Sequence, residues 1–261
     1  MPRRLIGVNP VLKIRKRIVI VGATSAIAQH CARLWIRDSD EDLTLIGRDK
    51  QKTERVAEDL RIRSPQSRIH VLEANFVDPL AIRRLVDGIV SKGDVHIVLI
   101  AHGLLPDQRE CQEDLFACRD ALLVNGVSPV LFAEAFVGHM QKANSGHLAI
   151  IGSVAGDRGR RSNYVYGAGK GLIERYTQGL QHRLARTGVK VILVKPGPTD
   201  TPMAAHWKQK GNRLAKVEEV ARLILEAIEQ GKPRVYAPRK WALIMLVIRN
   251  LPNFIFNRLD I

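Results

Sequence analysis

Seven short runs of apolar, largely β-branched residues punctuate the chain: RIVIVG at 17–22, LTLIG at 43–47, RIHVL at 68–72, VHIVLIA at 95–101, GHLAIIGS at 146–153, VKVILVKPG at 189–197 and PRVYAP at 233–238. Between most of them lie longer stretches in which apolar positions recur every three or four residues, the period of an amphipathic helix. Those stretches predict helices over 24–37, 50–63, 78–91, about 112–142, 163–187 and about 216–230. Near-continuous apolar strands separated by helices predict parallel neighbours, because a parallel pair needs a crossover connection and buries both faces of the sheet. The expected fold is a doubly wound α/β sandwich of about seven strands, and no linker or internal repeat divides it.

This frame is of the Rossmann type, with a basic extension at 1–16, a Rossmann-type domain at 17–238 and an apolar, basic tail at 239–261. A chain of 261 residues sits at the upper end of single-domain size. With 41 Lys and Arg against 26 Asp and Glu, the formal charge of +15 points to an anionic partner, whether nucleic acid, membrane surface or phosphorylated ligand. Cys31, Cys111 and Cys118 match no zinc or redox spacing and read as packing residues in a reducing compartment. The N-terminal basic residues Arg3, Arg4, Lys13, Arg15, Lys16 and Arg17 precede an apolar run unlike that of a signal peptide, and no uninterrupted apolar stretch reaches the length of a membrane span.

In a doubly wound sheet ligands bind beyond the carboxyl ends of the strands, so the residues there carry the chemistry. After the first strand, VGATSAIAQ turns into a helix; Gly22, Thr24, Ser25, Ala26 and Ile27 form a candidate pyrophosphate site, with Ala26 and Ala28 where glycines are usual. After the second strand, Arg48 stands where many nicotinamide enzymes carry an acid, which suits a 2′-phosphate and favours NADPH, with NADH as the alternative; a solvated loop arginine is the competing reading. Ser153 ends the fifth strand. Tyr166 and Lys170 lie one turn apart on the next helix, and Pro196, Gly197, Thr199 and Thr201 follow the sixth strand, the threonines within reach of a nicotinamide carboxamide. A tyrosine is too weak an acid at neutral pH, and a nearby lysine ammonium is expected to lower its pKa. Gly167 and Gly169, between the pair, are expected to let cofactor and substrate approach the helix, and Tyr164 points away to packing or substrate.

In this order and on this frame the motifs resemble the short-chain dehydrogenase/reductase family over essentially the whole chain. The resemblance implies that Ser153 orients a carbonyl oxygen, Tyr166 transfers the proton, Lys170 holds the nicotinamide ribose and lowers the tyrosine pKa, and Asn125, in LLVNGVSP, supports a proton-relay water. It also implies cofactor contacts at Asn75, Ala101 and Gly103. Here the chain departs from the family, with Ala101-His102-Gly103 in place of Asn-Ala-Gly and Asn75 in place of an aspartate.

AHGLLPD, GSVAGDRGRRSNYVYGAGKG and the tail WALIMLVIRNLPNFIFNRLDI resemble, more narrowly, the decaprenylphosphoryl-2-keto-D-erythro-pentose reductases. That resemblance implies a lipid-linked sugar substrate, a flavin oxidase as upstream partner, association with NADH, and work at an anionic membrane surface. The expected location is cytoplasmic, peripheral on the inner face of the membrane. Arg239, Lys240, Arg249 and Arg258 around WALIMLVI suit an interfacial helix broken at Pro252, or a helix packed on protein or in a homo-oligomer interface. Two other readings stay open: an ordinary soluble reductase of a steroid, sugar or acyl ketone, and a non-catalytic nucleic-acid-binding or regulatory protein on the same fold. Dispersed basic residues without interleaved aromatics argue against nucleic acid, and no metal site is expected.

Overall fold

The computed structural model describes residues 15–37, 39–209, 211 and 213–259. Most of the basic extension, including Arg3, Arg4 and Lys13, lies outside them. Seven parallel strands form one sheet in the order β3-β2-β1-β4-β5-β6-β7: β1 Arg17–Val21, β2 Asp42–Gly47, β3 Arg68–Glu73, β4 Ile97–Ile100, β5 Gly146–Ile151, β6 Val189–Pro196 and β7 Arg234–Ala237. The central strands are apolar at consecutive positions, so each face of the sheet needs its own cover. On one side α1 (Ala26–Arg37), α2 (Lys50–Arg63) and α9 (Val217–Glu229) bury Ile18, Ile20, Leu43, Leu45 and Leu99. On the other, α3 (Pro79–Val90), α6 (Ser128–Ala143) and α7 (Tyr164–Leu184) bury Val19, Val21, Val98, Ile100 and Leu148. Strand order reverses between β1 and β4, and this switch point opens the crevice that holds the site.

The helix expected over 112–142 is instead three segments: α4 (Gln108–Glu113), α5 (Leu115–Leu122) and α6, the last two joined by a π-helical turn at Leu123–Val127. Asp114 causes the first break. Its backbone is extended and its carboxylate accepts from Phe116 N at 2.7 Å, so it caps α5 rather than continuing α4, and such a cap contributes about 1 kcal/mol. Asp107 caps α4 in the same way. The helical run Leu115–Ala143 is long and apolar enough by length and composition to cross a bilayer, yet 56% of its most apolar window is buried against the protein.

The tail forms α10 (Lys240–Asn250) and α11 (Asn253–Phe256), with Pro252 at the break. Met245 is fully buried and holds α10 to the body, while Leu243, Leu246, Val247 and Phe254 are half or more exposed. Arg158, in the loop before α7, clamps the tail: it donates to Ile248 O at 2.7 Å and to Asn253 Oδ1 at 2.9 Å, and stacks 3.7 Å over the Phe256 ring. All three cysteines are free; Cys31 and Cys111 are buried and Cys118 partly so, as packing residues should be.

Candidate active site

A cavity of about 740 Å³ opens over the carboxyl ends of the central strands, within the usual size range of ligand sites. Its β1 side is the turn Gly22, Thr24, Ser25, Ala26 and Ile27, leading into α1. Gly22 has φ +81°, and a side chain there would strike the His102 backbone nitrogen at 2.7 Å; only glycine tolerates both conditions. Arg48 lines the β2 end, Asn75 the β3 end, Ala101, His102 and Gly103 the β4 end, and Pro196, Gly197, Thr199 and Thr201 the β6 end. Asn75 accepts from Val77 N at 3.0 Å, and Thr199 donates to Gly197 O at 2.8 Å, so both also fix their own loops. This floor of backbone turns and helix start fits a dinucleotide; Arg48, exposed at the lip, suits a 2′-phosphate.

Ser153, Tyr166 and Lys170 share the opposite wall. Ser153 caps a short 3₁₀ turn, its hydroxyl accepting from Ala155 N at 3.1 Å. Lys170 is 3% exposed, donates to Ile151 O at 3.0 Å, and has its pKa drawn down to about 8 by burial. Its Nζ lies 5.8 Å from the Tyr166 ring centroid. Burial raises the Tyr166 pKa, opposed by the Ser153 hydrogen bond and the Arg160 charge. The Arg160 charge thus favours the phenolate, while the Lys170 ammonium donates to a backbone carbonyl.

Asn125 does not line the cavity. It is fully buried in the π-helical turn, with Nδ2 donating to Ala121 O at 3.0 Å and Oδ1 accepting from Leu104 N at 3.0 Å. A Cβ on Gly103 would lie 2.9 Å from Asn125 Oδ1 and 3.4 Å from Lys170 Nζ, so Asn125 stands directly behind the cavity floor beside the lysine. The glycines of α7 also differ from expectation. A Cβ at Gly169 would meet Asn125 Cβ at 2.9 Å, and one at Gly167 would meet Ala155 O at 3.0 Å. They are small so that α7 can press against the π-helical turn and the Ser153 loop, not to admit ligand. Tyr164 is 44% exposed and is not part of the cavity wall.

Residues 16–212 match the short chain dehydrogenase family. The chain belongs to that family. Relatives of this short-chain dehydrogenase include an uncharacterized oxidoreductase of Streptomyces coelicolor, 29% identical and aligned over 94% of this chain and 96% of its own. A second, from Staphylococcus aureus, is 28% identical over 83% of this chain and 92% of its own. The fold is shared with a Sphingobium yanoikuyae short-chain dehydrogenase solved with NADPH, at TM-score 0.77, 21% identity and coverage of 91% and 97%. It is shared too with a Burkholderia cenocepacia short chain dehydrogenase solved with NADP, at TM-score 0.79, 21% identity and coverage of 95% and 98%.

Among the residues of this short-chain dehydrogenase's cavity that went unread as site residues in the sequence are His102, Trp241 and Arg160. His102 is held edge-on by Phe76 and Phe132, with Nε2 and Ser128 Oγ 2.9 Å apart. Burial, with the Lys170 and Arg48 charges, lowers its pKa to about 3, so it is a neutral spacer at the β4 end and no acid or base. Trp241 reaches back from α10 to fill the space a side chain at Gly197 would need, which makes the tail part of the cavity wall. Arg160 lines the cavity from the loop before α7. That loop is anchored by Asp157, which pairs with the buried Lys195 and accepts from Tyr236 Oη at 3.0 Å, while Lys195 also pairs with Glu174 at 2.8 Å. Nothing local in the RGRR run distinguishes which arginine turns inward.

Proposed function

We propose that the protein is an NADPH-dependent reductase of a sugar ketone carried on a polyprenyl phosphate, forming the arabinose-type alcohol. The observation that carries the reductase reading is the placing of Ser153, Tyr166 and Lys170 on one wall of the cavity whose floor is the β1 turn. Bound on that floor, NADPH supplies a hydride. Ser153 holds the carbonyl oxygen, and Tyr166 Oη–H, kept protonated at neutral pH by burial, delivers the proton to it. Lys170 lies beside Gly103 and Asn125, where its ammonium would hold the ribose hydroxyls of the bound cofactor. The arrangement binds, orients and protonates.

The cofactor preference rests on Arg48 and agrees with the two structural relatives that hold NADPH or NADP. It departs from the NADH implied by the narrower resemblance. Arg48→Ala is expected to collapse the ratio of kcat/KM for NADPH over NADH about 10- to 100-fold, the worth of a charge-assisted phosphate contact. A ratio unchanged by the substitution would leave Arg48 a solvated residue.

The lipid-linked substrate is supported by the outer face of the tail. Leu243 and Phe254 are each 68% exposed, beside exposed Lys240, Arg249 and Arg258, a combination suited to an anionic bilayer surface and set next to the cavity through Trp241. Deleting the tail would also remove Trp241 and the Arg158 clamp, so the informative variant is Leu243→Glu/Phe254→Glu, which alters exposed positions only. The wild-type protein is expected to float with anionic liposomes in moderate salt and the double variant to sediment, both reducing a water-soluble ketone. Equal behaviour of the two proteins on liposomes would favour a soluble reductase of a steroid, sugar or acyl ketone.

A further inference from the structure

One cationic donor on the cavity wall is buried with no acceptor among the described residues. Arg160 shares that wall with Tyr166, and its Nε is buried without a hydrogen-bond acceptor. Its neighbours are already engaged: Arg158 holds the tail, and Arg161 donates to Leu259 O at 3.4 Å. No ion pair to a described carboxylate engages Arg160, and its charge favours the ionised over the neutral form of Tyr166. Leaving a buried donor unmatched is costly, and native structures retain few such groups without a reason. The position is also held firmly, between Asp157, locked to Lys195 and Tyr236, and the α7 start, where Val165 N donates to Gln108 Oε1 at 3.0 Å.

We propose that Arg160 is a specificity-determining residue that receives an anionic group, a phosphodiester or a carboxylate, borne by the ketone substrate close to the carbonyl protonated by Tyr166. A planar guanidinium with a free Nε–H offers two parallel donors to such a group. It is separate from the 2′-phosphate position, because Arg48 lies at the β2 end of the cavity and Arg160 on the α7 side. The anion also screens the charge that Arg160 casts on Tyr166, so a bound anionic ketone and a neutral one differ in the pH dependence of reduction as well as in affinity. The inference rests on the reductase reading of the site, not on the lipid or the sugar.

The test compares matched ketones with NADPH: a methylphosphoryl-2-keto-pentose against the methyl glycoside of the same keto sugar, and 3-oxobutanoate against its methyl ester. In the wild type kcat/KM is expected to favour the anionic member of a pair about 10- to 100-fold. Arg160→Gln collapses that ratio through KM, Arg160→Lys restores part of it, and the NADPH Kd stays within about twofold, since the anion site is not the cofactor's. A readout free of turnover is phenylglyoxal modification of Arg160 in the NADPH complex, followed by mass spectrometry, with dimethyl phosphate or acetate as protectant. If the keto-pentoses are inert while 3-oxobutanoate shows the Arg160-dependent preference, the sugar reading fails and this one stands. Absence of anion preference in the wild type, equal losses on both members of a pair, a weakened NADPH Kd in Arg160→Gln, or no protection by either anion overturns it.

Discussion

Tyr166→Phe should lower ketone reduction about 10²- to 10⁴-fold, the usual contribution of a positioned general acid, while the NADPH Kd from fluorescence titration changes little. The ring stays and only the hydroxyl leaves. Because burial holds the tyrosine in its neutral form, the wild-type acid is loaded with its proton at neutral pH, and the alkaline limb of the rate profile reports its loss. Ser153 and Arg160 both favour the phenolate, so that limb should move up in pH when either is replaced by a neutral, non-bonding residue. Substantial residual turnover in Tyr166→Phe would relocate the acid. Tyr164 is a poor substitute, being exposed and outside the cavity. His102, with its pKa lowered to about 3 by burial and the Lys170 and Arg48 charges, is not an imidazolium at neutral pH and is a poor acid.

Lys195→Met should destabilise the protein by about 3–5 kcal/mol, the range seen when one member of a buried ion cluster is removed. Lys195 is 1% exposed and lies between Asp157 and Glu174, whose side chains are 0% and 11% exposed. Burial and the Arg234 and Arg249 charges draw the Lys195 pKa down to about 7, and burial raises that of Glu174. Both shifts oppose the charged pair, so the cluster is costly to desolvate and harmful to break. It ties the loop before α7, α7 itself, β6 and β7 at one point, and the loop carries Arg160 and Arg158. Equilibrium urea unfolding measures the loss. The triple change Lys195→Met/Asp157→Asn/Glu174→Gln should recover much of it, because no uncompensated charge remains. A loss below about 1 kcal/mol in the single variant would mean that water reaches the cluster.

The apolar runs determined the seven parallel strands and their helical cover, because a strand buried on both faces must be apolar at successive positions and a helix buried on one face must repeat every three to four. Local chemistry likewise marked the break of the tail at Pro252, and the order Ser153, Tyr166, Lys170 that puts three reacting groups after one strand and on one helix turn. Contacts between distant segments were decided by tertiary structure alone. The helix over 112–142 read as continuous because its apolar period runs through Asp114, and only the turn of the chain there let the carboxylate cap α5. Gly167 and Gly169 read as ligand access, yet it is the approach of α7 to Asn125 and Ala155 that leaves no room for a side chain. Lys170 lies one turn from Tyr166 in sequence, but only the fold brought its ammonium to the Ile151 carbonyl and the Arg160 charge to the tyrosine. Periodicity records which face of an element avoids water; it carries no measure of how closely two backbones approach, nor of which charges share a cavity once they have.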